Sequence, residues 1–85
     1  MGIRTQYSPT FPMFPGGAYS ITTSDTVNLP YVSVVYVGGT GSVKVTTAQG
    51  DTTTFVGLQT GSVIPVQVLQ VWATGTTATN LIGIY

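Results

Sequence analysis

Residues 31–56, YVSVVYVGGTGSVKVTTAQGDTTTFV, decide the fold. The first seven, YVSVVYV, are all β-branched, aromatic or Ser, a composition suited to a pleated and half-buried surface. They run into Gly38-Gly39-Thr40-Gly41, a cluster that interrupts regular structure. Residues 42–47 then alternate, with Val43 and Val45 on one face and Ser42, Lys44 and Thr46 on the other. Gln49-Gly50-Asp51 marks another turn, and residues 52–56 read as a further strand. Three strands separated by turn residues predict a meander over this stretch.

The same texture continues on both sides. Residues 18–23 form a short candidate strand before the turn formers Ser24, Asp25 and Asn28. Residues 63–72 make a longer strand whose apolar register changes. Ile64, Val66 and Val68 share one face, and then Leu69 and Val71 take over, which predicts a bulge or bend at residues 68–70. Pro65 lacks an N–H, so the start of that strand is expected at an edge or an entry position. Residues 74–80 read as a polar loop and residues 81–85 as a last strand. No stretch carries a 3.6-residue apolar period with caps, so no helix is expected. The sum is an all-β domain over residues 19–85. Its predicted architecture is a small antiparallel β-sandwich or barrel of about six short strands.

Residues 1–18 differ. Pro9, Pro12 and Pro15 recur at every third position, with Tyr7, Phe11, Met13 and Phe14 among them. Each Pro fixes its own φ and drives its predecessor towards extended backbone, so neither a helix nor a central strand suits this stretch. A solvated linker would be built from Ser, Gly or charge. An extended arm with aromatic anchors either folds back over its own core or lies on a neighbouring protein. The second is expected, and Tyr7, Phe11, Met13, Phe14 and Tyr19 are its candidate contact residues.

Charge excludes much of the remaining chemistry. The 85 residues hold two basic side chains (Arg4, Lys44), two acidic ones (Asp25, Asp51), and no His or Cys. Charged residues make up 5% of the chain, against roughly 25% in an average soluble domain. Two separated cations at zero net charge cannot make the basic face that nucleic acid requires. Thiol nucleophiles, imidazole bases, disulfides and zinc sites are all missing, and the many Ser and Thr hydroxyls have no base to activate them. No cofactor and no enzymatic activity are expected. Asp25 and Asp51 read as turn formers, and Lys44 as an outward charge that guards its strand. Trp72 ends the most apolar strand, where packing is favoured over stacking on a sugar ring. The first residues lack an apolar leader, and no apolar run reaches a membrane span, so synthesis in a cytoplasm and no membrane contact are expected.

A small domain without disulfide or metal commonly gains its remaining stability by oligomerising. A surface covered by Thr (16 residues) and Gly (11 residues), with almost no charge, suits burial against other copies or a larger particle.

From Ser24 onward the residues also carry a family resemblance. One part is Ser24-Asp25-Thr26, Leu29-Pro30, Tyr36-Val37-Gly38, Gly41-Ser42-Val43-Lys44-Val45-Thr46 and Gly50-Asp51-Thr52-Thr53-Thr54-Phe55. The other is Val63-Ile64-Pro65-Val66-Gln67-Val68 and Ala73-Thr74-Gly75-Thr76-Thr77-Ala78-Thr79, closing on Ile84-Tyr85. This pattern resembles the small head spike base proteins of tailed phages and gene transfer agents. The resemblance implies an all-β, non-enzymatic virion protein on the outer capsid surface. Its implied partners are further copies of itself, pentamer before trimer, the major capsid protein, and a spike or fibre carried above. A capsid decoration subunit and a carbohydrate-binding adhesion module are the alternatives. Gln67, Leu69 and Gln70 stand where the resemblance would place basic residues, so charge-based contacts with those partners are not implied. The arm lies largely outside the matched pattern, and would dock on capsid protein or weave between subunits of the same ring.

Overall fold

A computed structural model describes residues 15–85 of the chain. Among these residues every regular element is a strand: β1 (Ala18–Ser20), β2 (Ser33–Tyr36), β3 (Gly41–Thr47), β4 (Thr52–Leu58), β5 (Val63–Val71) and β6 (Ile82–Ile84). All pairings are antiparallel. The six strands make one sheet in the order β1-β6-β2-β5-β3-β4. The all-β class and the count of short antiparallel strands are as the sequence implied.

Alternation builds the core. Val35 and Val37 from β2 and its exit, Val43 and Val45 from β3, and Ile64, Val68 and Val71 from β5 are all buried in one apolar cluster. Leu29, Ala78 and Leu81 complete it from the loops. Residues from β2 and β3 join the same cluster through β5, which lies between the two strands.

The expected meander does not form. β5 lies between β2 and β3, and only β3 and β4 pair as a hairpin. The glycine cluster explains why. Instead of closing a turn, it receives the segment after β5: Gly39 bridges Thr79, and the N–H groups of Thr77 and Ala78 donate to the Ser42 carbonyl at 2.8 and 3.1 Å. A Cβ on Gly41 would stand 2.5 Å from the Ala78 nitrogen. Residues 74–80 therefore serve as a structural strap, with Ala78 in the core, where the sequence suggested only a polar loop.

β5 carries two register shifts. Opposite β3 the shift falls between Gln70 and Val68, which leaves Leu69 as the extra residue, inside the predicted bulge. Opposite β2 it falls between Val68 and Ile64 and contains Pro65. β3 begins to pair with β5 only at Val68, so Pro65 has a strand neighbour on one side alone. A central strand thus tolerates a proline by being an edge where the proline stands. Gln70 is buried, and its Nε2 donates to the Ser24 carbonyl at 3.0 Å, which satisfies the amide.

Candidate functional site

The arm is expected to leave the domain at β1, and aromatic side chains gather there. Tyr19 projects from β1, Tyr31 lies just before β2, and Tyr85 follows β6. The order β1-β6-β2 brings the three together. The Tyr31 and Tyr85 rings stack with centroids 4.1 Å apart at 9°, and Tyr19 meets them at 6.0 and 5.7 Å. Gly83 makes this approach feasible. Its missing Cβ would stand 2.5 Å from the Tyr19 ring, so any larger residue would displace that ring.

A hydrogen-bond chain fixes the cluster. Ser33, buried beneath it, donates its hydroxyl to the Tyr31 carbonyl at 2.7 Å. Its Oγ then accepts the Tyr19 phenol at 2.7 Å, and that phenol also lies 3.2 Å from the same carbonyl. Desolvation by its neighbours, chiefly, raises the Tyr85 phenol above its ordinary range. The result is a rigid aromatic surface with Tyr31, Val32 and Tyr85 exposed. Tyr and Trp surfaces of this kind supply contact area at low entropic cost.

Beside it runs an open groove of about 440 Å³, lined by Tyr19, Ser24, Val27, Leu29 and Pro30 among others. Its wall is held at residues 24–27. Ser24 Oγ accepts the N–H groups of Thr26 and Val27 at 3.2 and 3.1 Å, a local turn bond. Asp25 was expected to act locally in the same way and does not. Its carboxylate accepts the Thr74 N–H at 2.8 Å and the Thr74 hydroxyl at 2.6 Å, which clamps the groove wall to the strap after β5.

Those bonds, led by the Thr74 hydroxyl, hold the Asp25 carboxyl below its ordinary 3.8. A depressed folded value means the clamp's contribution is complete above the unfolded value and is lost as pH falls through the folded one. Thermal melts of wild type are therefore expected to fall more steeply than those of Asp25→Asn below about pH 3.8, with wild type the more stable at pH 7. Parallel pH profiles for the two proteins would refute the clamp.

Trp72 packs as expected. The indole is half-buried, and its Nε1 donates to Thr46 Oγ1 at 2.9 Å. Lys44 does not simply face solvent: its Nζ stands 4.5 Å from the Trp72 ring centroid. One ring face is thus covered and the N–H is occupied, an arrangement that serves packing and leaves little for sugar stacking. Among the described residues, no three His, Cys, Asp or Glu side chains come together to hold a metal.

Of the five candidate contact residues, Tyr7, Phe11, Met13 and Phe14 lie outside the described residues. Tyr19 is present at the root of the arm, half-buried in the cluster. Tyr31, Tyr85, Val32 and Ser33 were not singled out from the sequence. The available signal was the glycine at position 83 in an otherwise apolar last strand, since a strand glycine marks a close approach.

No family model and no curated protein matches the chain. Among solved structures, it is similar to a chain in the capsid of a native gene transfer agent particle, computed with C5 symmetry. The two are 32% identical and superpose with a TM-score of 0.74, over 84% of this chain and 83% of the other.

Proposed function

Because this chain belongs to the family of the gene transfer agent capsid chain it matches, we propose that this capsid-associated virion protein is the homo-oligomeric base of a head spike. The likeness in both sequence and structure, over most of both chains, carries this reading. The base sits on the outer face of the shell, the Pro/aromatic arm docks on the major capsid protein, and a spike or fibre stands above. A pentamer suits a five-fold vertex and agrees with the symmetry of the matched particle. The role is structural. With three charged side chains among residues 15–85, recognition relies on apolar and hydroxyl contact, which avoids the cost of desolvating charge.

Mass spectrometry of purified particles, followed by imaging, tests the reading. The chain is expected in every intact particle, at far fewer copies than the major capsid protein, with density at the five-fold vertices. Absence from purified particles would overturn the virion role. Density at three-fold points or spread over the shell would make the chain a decoration subunit instead.

A further inference from the structure

Among the described residues the sheet has two free edges, and they differ in a complementary way. β1 and β4 stand at opposite ends of the strand order. On β4, the Thr47 N–H bonds the Asp51 carbonyl at 2.8 Å, which sets the alternation along the β3–β4 ladder. Thr53 and Phe55 turn their backbone groups inward to β3, and Thr52 and Thr54 turn theirs outward. On β1, Gly17 and Tyr85 exchange both backbone bonds at 2.9 and 3.0 Å. Tyr19 therefore faces β6, and Ala18 and Ser20 face outward. Each edge thus offers two outward residues at i and i+2.

Neither edge is guarded by charge. β4 reads TTTFVGL and β1 reads AYS, without Lys, Glu or Pro. Natural sheets usually blunt a long free edge with such residues. Beyond the flat part of β4, the register shifts at residues 56–57, where Gly57 has φ 75°, and Val56 stands 77% exposed. It is the most exposed large apolar side chain among the described residues. Next to β1 lies the open groove, which Tyr19 and Ser20 of that strand line together with Val27 (64% exposed), Leu29 and Pro30.

We propose that β4 of one copy pairs along β1 of the next, with Val56 seated in the groove at Val27, Leu29 and Pro30. The occupant of the free edge is thus a second copy of this chain. The contact is head-to-tail, since the two surfaces differ, and such contacts close into rings when the rotation allows. A β4-to-β4 contact would instead be isologous and stop at a dimer. Pro9, Pro12 and Pro15 make the arm a poor strand for either edge. The inference builds on the homo-oligomer reading above and names the surfaces that hold it.

Native mass spectrometry of the full chain tests it with three variants. Val56→Lys disables the β4 surface. Thr54→Pro removes an outward N–H without touching the β3 ladder. Val27→Lys disables the groove. Circular dichroism and melting curves establish that each variant is folded, and because all three sites are exposed, folding is expected to persist. Each variant alone is expected to lose the ring. A mixture of Val56→Lys and Val27→Lys is expected to form heterodimers, because each retains one intact surface. Wild-type-like rings from folded Val56→Lys or Thr54→Pro would overturn the proposal. So would a wild-type chain that stays monomeric, or dimers abolished by Val56→Lys but unaffected by Val27→Lys. Presence in or absence from particles is a separate measurement, so the virion role and this interface can fail independently.

Discussion

Replacing Gly41 by Ala is expected to remove a large share of the domain's stability. Gly41 opens β3 at φ 151°, in a region that L residues rarely enter. An added methyl would stand 2.5 Å from the Ala78 nitrogen and 2.8 Å from its Cα, both backbone atoms that cannot swing aside. Relief requires the strap to lift, which would break the Thr77 and Ala78 bonds to Ser42 and draw Ala78 out of the core. Forced backbone and overpacking cost about 1–3 kcal/mol each, so a loss of about 2–6 kcal/mol is expected. Small domains possess only about 5–15 kcal/mol in total. Chemical denaturation with fluorescence from Trp72, just before the strap, measures the loss. Gly50→Ala, at an open turn with nothing within 4 Å of the added methyl, is the control and is expected to lose less. Equal stability of Gly41→Ala and wild type would show that the strap does not bind as described.

Deleting residues 1–14 is expected to strip the protein from particles while leaving the domain folded. Residues 15–85 supply six paired strands that enclose a buried valine cluster of their own, so the shortened chain is expected to fold. Attachment should change greatly if the arm reaches the capsid protein. Aromatic anchors commonly contribute about 2 kcal/mol or more each, so even if only two of Tyr7, Phe11 and Phe14 act as anchors, their loss weakens binding on the order of a thousandfold. Quantitative mass spectrometry of particles carrying the truncated chain provides the readout. Unchanged occupancy would transfer the docking role to the tyrosine surface at β1, where Tyr31→Ala becomes the next variant.

Local pattern made the strands legible, and its limits explain what was missed. The alternation of Val43 and Val45, and the register change before Leu69, are short-range signals, and both correspond to real features. Strand order is a long-range property. Nothing in residues 31–56 reveals that β5 will enter between β2 and β3, because the apolar faces would suit either neighbour. The Asp25 clamp spans 49 positions and the Gln70 amide bond 46, so neither produces a local spacing. The tyrosine cluster was hidden for the same reason: Tyr19, Tyr31 and Tyr85 become neighbours only once β6 is placed between β1 and β2. The capsid-associated role was more readable, since a near-absence of charge runs through the whole sequence.

The order of the strands also sets how the domain would bear load. If the shell pulls through the arm at β1 and the next copy pulls at β4, tension crosses the sheet through its ladders in series. A series of links yields at its thinnest member. Here the shortest members are β1 and β6, three residues each, joined to one another by three residue pairs. Tyr19, Tyr31 and Tyr85 lie across this place and tie β1, β6 and the approach to β2 together by stacking and by the Ser33 bridge. The three exposed or half-buried rings would thus act as a mechanical splice, and how long a base of the proposed kind stays in place under shear would depend on them more than on the valine core.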